Sequence, residues 1–65
     1  MTGEVKSYNR NKGYGFISAG GKDYRFKAQS WGLRIPPCIG IDVAFDPYET
    51  EKGLRAARIR NDERN

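Results

Sequence analysis

Five short stretches of this chain alternate apolar and polar residues with a period of two, the signature of half-buried strands. Glycine or proline at 13, 15, 20, 21, 32, 36, 37, 40, 47 and 53 interrupts every window long enough for a stable helix. The first segment is Glu4–Asn9, with Val5 and Ser7 on one face and Lys6 and Tyr8 on the other. A polar turn, Asn9-Arg10-Asn11-Lys12, leads into the second, Gly13–Ser18, where Tyr14 and Phe16 share one face and Gly13, Gly15 and Ile17 the other. Ala19-Gly20-Gly21-Lys22 predicts a tight hairpin into the third, Asp23–Lys27, where Tyr24 and Phe26 oppose Arg25 and Lys27.

A longer connection runs from Ala28 to Gly40. Ala28–Trp31 fits one helical turn, and Pro36-Pro37 forbids a long helix. The fourth segment is Ile41–Tyr48, with Ile41, Val43 and Phe45 alternating against Asp42, Ala44 and Asp46, and with Pro47 suited to an edge or a bulge. After a charged loop, Glu49–Gly53, the fifth segment is Leu54–Arg60, with Ala57 and Ile59 inward and Arg58 and Arg60 outward. A polar tail, Asn61–Asn65, is expected to fray. Five short strands predict an all-β domain that closes, or partly closes, into a barrel and so hides its sheet edges. The expected core is Val5, Ile17, Tyr24, Phe26, Ile39, Val43, Phe45, Ala57 and Ile59, with Cys38 as a small buried hydrophobe.

Composition narrows the function. With 65 residues the chain makes one domain at most. A single cysteine excludes an internal disulfide, and without histidine no usual metal-ligand set remains, so neither metal nor cofactor is expected. The free thiol fits a reducing compartment. No apolar run has membrane-spanning length and no signal-peptide pattern opens the chain, so a cytoplasmic protein without a membrane partner is expected. A formal net charge of +4 suggests a polyanionic partner. Glu49 and Glu51 lie in a loop, and Asp42 and Asp46 along one strand face. None has a nucleophile or metal partner at a useful spacing, so no enzyme and no small-molecule substrate are expected.

The densest chemistry lies in Lys12-Gly13-Tyr14-Gly15-Phe16-Ile17, which joins one cation, two aromatics and two glycines. Two rings side by side on a strand, beside a lysine, make a platform for unpaired bases. The ribonucleoprotein pattern matches through the second aromatic. It departs at Ile17, where valine is usual, and at Ala19, where a further aromatic is usual. Arg25 can stack on a base and bind phosphate, and Lys27 can join it, unless Asp23 or a neighbouring acid pairs with one of them. Tyr8 either flanks the platform or caps the barrel end. Trp31 either packs over the barrel mouth, the preferred reading, or turns toward the groove. Arg55, Arg58 and Arg60 form a basic strip, of which Arg58 and Arg60 share a side and extend a phosphate track.

In order and spacing these segments resemble a bacterial cold-shock domain. Thr2-Gly3-Glu4-Val5-Lys6 resembles that family's first strand, Asn9 with Lys12–Ile17 its first ribonucleoprotein motif, and Asp23-Tyr24-Arg25-Phe26-Lys27 the place of its second. Gly40–Phe45 and Gly53–Ile59, with Ala56-Ala57, resemble strands four and five. The resemblance implies a five-stranded Greek-key barrel of the OB type over residues 1–60 with a tail at 61–65. It also implies a monomer that binds single-stranded RNA or DNA, as an RNA chaperone or a regulator of transcription or translation. On this reading Lys6, Lys12 and Lys52 contact phosphates, and the interface comprises these three with Tyr8, Tyr14, Phe16, Arg25, Lys27 and Arg58. The binding face departs from the family. Ser7 stands where tryptophan is usual, Arg25 and Lys27 where phenylalanine and histidine are usual, and Ala28 near another aromatic position. The Ala28–Gly40 connection is also shorter by a residue or two. Two other readings follow from the lost rings and the fold: a protein-interaction module that has lost its nucleic-acid ligand, and an OB module of the S1 or initiation-factor kind acting on the ribosome.

Overall fold

All five alternating segments form strands: β1 (Thr2–Asn9), β2 (Tyr14–Ala19), β3 (Lys22–Lys27), β4 (Asp42–Thr50) and β5 (Gly53–Asn61). The structure, a computed structural model, describes residues 1–62. The strands follow one another in the order β1-β2-β3-β5-β4, and β4 pairs back onto β1, which closes an OB-type Greek-key barrel. Neighbours are antiparallel except β3 and β5, which run parallel and meet at a single Cα pair, Arg25 with Arg55. The expected helical turn is a short 3₁₀ segment, Ala28–Ser30.

Local chemistry explains the joints. Gly20 and Gly21 carry φ of 58° and 79°, the conformation a two-residue turn needs to match the twist of β2 and β3. In the β4–β5 turn the Thr50 hydroxyl accepts a bond from the Lys52 amide (3.2 Å) and donates to the Gly53 carbonyl (3.1 Å), so the strands run to Thr50 and leave only Glu51 and Lys52 unpaired. Pro47 pairs with Ala56 on the β5 side, beyond the stretch of β4 that contacts β1, so its missing N–H costs no ladder bond there.

The interior holds Val5, Ile17, Ala19, Tyr24, Phe26, Val43, Phe45, Ala56 and Ile59. Seven of these are the residues expected from alternation; Ala57 and Ile39 are corrections. A bulge on β5 accounts for the first, and a second bulge, on β1, changes the facing of Ser7 and Tyr8. On β5, Ala57 pairs with Asp46 and Arg60 with Ala44, so three steps on β5 oppose two on β4, and Arg58 adopts φ 53°. The extra residue flips the phase, which puts Ala56 rather than Ala57 on the same side as Ile59. On β1, Val5 pairs with Ile17 and Ser7 with Phe16, which leaves Lys6 as an extra residue. Val5 and Tyr8 therefore share the inner side and Ser7 joins the outer, the reverse of unbroken alternation.

Ile39 is 76% exposed, and Cys38 is exposed rather than buried. The Gly40 amide bonds the Val5 carbonyl and the Val5 amide bonds the Ile41 carbonyl (both 2.9 Å), so backbone hydrogen bonds anchor the end of this connection at the rim of the barrel. β5 also extends one residue past its expected end, with Asn61 paired to Val43, while 63–65 of the expected tail lie outside the described residues.

Phe26 closes one end of the barrel. Tyr8 stacks on it at 5.8 Å between centroids and 11° between planes, and Trp31 at 5.6 Å and 28°. The Trp31 indole N–H donates to the Ile35 carbonyl at 2.7 Å. Trp31 thus packs over the mouth, and Tyr8 caps that end from the other strand. Above the Phe26 ring lies Gly15, where a Cβ would fall 2.9 Å from Phe26 Cζ and collide with the Ser7 carbonyl. Gly15→Ala should therefore lower the unfolding free energy by about 1–3 kcal/mol through overpacking. Ser18→Ala, on the outer phase of the same strand, should change it by under about 0.5 kcal/mol. Urea unfolding of both variants measures the difference, and equal midpoints would contradict this packing.

Candidate nucleic-acid interface

Because Gly15 and Ile17 occupy the inner phase of β2, Tyr14 and Phe16 must stand on the outer one. Both rings are partly exposed and neither belongs to the core cluster. They meet edge to face, 6.1 Å apart at 83°. Strand register sets what surrounds them. Ser7 pairs with Phe16, Phe16 with Arg25, Arg25 with Arg55, and Arg55 with Tyr48, which makes one outward row across all five strands. A second row runs Asn9, Tyr14, Lys27.

Arg25 joins the two rows. Its guanidinium carbon lies 4.3 Å from the Tyr14 ring centroid, a cation–π contact that covers one face of that ring. Its Nε is buried without a hydrogen-bond partner. The turn before β2 brings in a further cation. The Lys12 amide bonds Asn9 Oδ1 (3.1 Å), the Gly13 amide bonds the Asn9 carbonyl (2.8 Å), and the Ala28 amide bonds the Gly13 carbonyl (2.9 Å). These bonds hold Lys12 beside the start of the 3₁₀ segment.

Three open depressions adjoin one another along this wall. One is lined by Ser7, Tyr8, Asn9, Arg10, Asn11, Tyr14 and Phe16. The next shares Tyr14 and adds Lys12, Arg25, Lys27 and Gln29. The last shares Arg25, Lys27 and Gln29 and reaches Tyr48, Lys52 and Arg55. Of the expected interface residues, Lys12, Tyr14, Phe16, Arg25, Lys27 and Lys52 come together here. Tyr8 borders the first depression, but its ring is committed to Phe26.

Two expected residues lie apart. Lys6 donates to Asp23 at 2.9 Å, so the acid that was to compete for Arg25 or Lys27 is taken by Lys6 instead. Arg58 sits on the β5 bulge and, with Arg60, pairs with Asp46 (3.4 and 3.3 Å), away from the rings. Among the described residues these are the only ion pairs, so Arg10, Lys12, Arg25, Lys27, Lys52 and Arg55 carry uncompensated charge into the depressions. Arg55 and Tyr48 are additions to the expected set. Tyr48 was readable, since it falls on the outward phase of Asp42, Ala44 and Asp46. Arg55 becomes recognisable only through its pairing with Arg25.

Flat apolar faces, planar cations and unpaired ammonium groups on one wall suit a ligand with flat rings and regular negative charge. No family model matches the chain, and a search of curated proteins finds no similar sequence. Among the described residues no cluster of potential ligands could hold a metal ion, and no helix is long and apolar enough to cross a membrane.

Arg25 makes no ion pair, so its charge adds little to the fold. Arg25→Leu keeps an aliphatic side chain against Tyr14 and removes an orphaned buried donor. Its unfolding free energy should stay within about 1 kcal/mol of wild type, the range of an exposed cation–π contact. Urea denaturation checks this, and a larger loss would make Arg25 a structural residue.

Proposed function

We propose that this barrel is a single-stranded nucleic-acid binding module, for RNA or single-stranded DNA, that stacks bases on Tyr14 and Phe16 and holds phosphates with lysine and arginine. The observation that carries the reading is the outward, partly exposed pair of rings beside cations that form no ion pair among the described residues. The β2–β3 face is also where OB barrels bind oligonucleotides. By its resemblance to cold-shock domains, the module would serve as an RNA chaperone or a regulator of transcription or translation. Arg25, set over Tyr14, lengthens the stack where the family usually has a ring, and a base can rest on its far side.

The physical consequence is binding with little sequence readout and strong dependence on salt. Six cations that make no ion pair among the described residues, Arg10, Lys12, Arg25, Lys27, Lys52 and Arg55, line the wall. If all six meet phosphates, the slope of log affinity against log salt approaches about −4.2, at about −0.7 per contact for single strands. Arg25→Leu should flatten that slope by about 0.7. Tyr14→Ala should weaken binding by about 1–3 kcal/mol, the worth of one base–ring stack, and Phe16→Ala likewise. Duplex of the same sequence should bind more weakly, because its base faces are already stacked. Titration of fluorescent single-stranded and duplex oligonucleotides at two salt concentrations tests all three points. Equal affinity for the two forms would remove base stacking from the account.

One observation favours a second reading, a protein-interaction module. Ile35 and Ile39, 51% and 76% exposed, present apolar side chains on the β3–β4 connection together with exposed Cys38. A chain that binds no oligonucleotide even at low salt would support this reading over the first.

A further inference from the structure

We propose that the bound strand crosses the β3–β5 seam to a third stacking platform, Tyr48 on β4, with Arg55 and Lys52 as its phosphate contacts. This rests on the nucleic-acid reading above and extends its site beyond Lys52, which the sequence resemblance already marks, to Tyr48 and Arg55, which it does not.

Tyr48 is 50% exposed, and among the described residues it is the one exposed aromatic. It stacks on no other ring and lies outside the core cluster. A single exposed tyrosine is ordinary on a protein surface and by itself carries nothing. What sets Tyr48 apart is its place in the outward row, paired with Arg55, which is paired with Arg25, which is paired with Phe16. Within that row, rings at Phe16 and Tyr48 therefore flank two guanidinium groups.

The seam between them is open for a topological reason. β3 and β5 meet at one residue pair, Arg25 with Arg55, the next contact along the join is the isolated bridge of Trp31 with Ile59, and a depression of about 730 Å³ lies along the join. Arg25, Lys27, Lys52 and Arg55 border it against one carboxylate, Glu51. None of the four cations takes part in an ion pair among the described residues. From β2 to β4 along the wall is three strand spacings, roughly 14 Å. That is the length of about four stacked nucleotides at 3.4 Å each. A strand anchored on Phe16 thus reaches Tyr48 with its phosphates over the arginines.

The test compares oligouridylates of about three and about eight nucleotides, below and above the lower limit of OB-fold site sizes, which is about four. Fluorescence anisotropy is read for wild type, Tyr48→Ala, Tyr48→Phe and Tyr14→Ala, with urea unfolding confirming that each variant is folded. The long oligomer should bind Tyr48→Ala about tenfold more weakly, the equivalent of about 1.4 kcal/mol from one lost stack. The short one should bind it as it binds wild type, Tyr48→Phe should retain wild-type affinity, and Tyr14→Ala should weaken both lengths. If Tyr48→Ala leaves the long oligomer unaffected while Tyr14→Ala weakens it, the route across the seam is wrong and the β2–β3 site stands. Equal weakening of both lengths by Tyr48→Ala would likewise overturn the route. Wild type that binds neither length would overturn the site and the route together.

Discussion

Gly15 lying flat on the ring of Phe26 is the contact on which both the barrel and its candidate site depend. A Cβ at this position would meet Phe26 and the backbone of β1, so only glycine fits there without a shift of one strand or the other. That contact fixes the phase of β2. Gly15, Ile17 and Ala19 face inward, and Tyr14, Phe16 and Ser18 outward. A one-residue slip would put two large rings into the interior and expose Ile17. The same Phe26 ring carries Tyr8 on one flank and Trp31 on another, so the group that seals the barrel mouth also orients the wall beside it.

Charge is distributed in keeping with this division. Acidic residues are spent where strands need lateral support. Asp23 holds Lys6 across the outer face, and Asp46 holds Arg58 and Arg60 at the β5 bulge. These pairs are exposed and contribute at most about 1 kcal/mol each. Along the ring-bearing wall the cations have no such partners among the described residues. Repulsion among them costs the fold something, and a polyanion laid on the wall relieves it. The asymmetry is one of position rather than of total charge, which is why the net +4 alone says so little.

How much could be read from the sequence follows the same physics. β2 and β3 were legible because nothing interrupts their alternation and the double glycine dictates their turn. The outward placement of Tyr14, Phe16, Arg25 and Lys27 came with them. β1 and β5 were legible as strands but not in their facing, because each contains a bulge. An extra residue at Lys6 moves Tyr8 inside, and Arg58 at φ 53° moves Ala56 inside in place of Ala57. Neither bulge has a glycine to announce it. Ile39 and Cys38 look like core by composition, yet they lie in a connection whose path is set by hydrogen bonds to Val5, which alternation does not reveal. The pairing of Arg25 with Arg55 joins strands distant in sequence, so no local pattern could have assembled the middle of the outward row.

That row bears on Arg25 and Lys27, the positions where the cold-shock resemblance would place rings. A ring offers a base one flat face and nothing to the phosphate. Arg25 offers a flat face and charge together, already oriented over Tyr14 and with its Nε shielded from other partners. A side chain held in this way surrenders less conformational freedom on binding than a free surface arginine does. On the proposed nucleic-acid reading, an arginine in place of a ring moves part of the binding free energy from stacking, which salt barely affects, into counterion release, which salt governs. The wall trades stacking area for charge, and a partner must present phosphates and open bases together to gain from both.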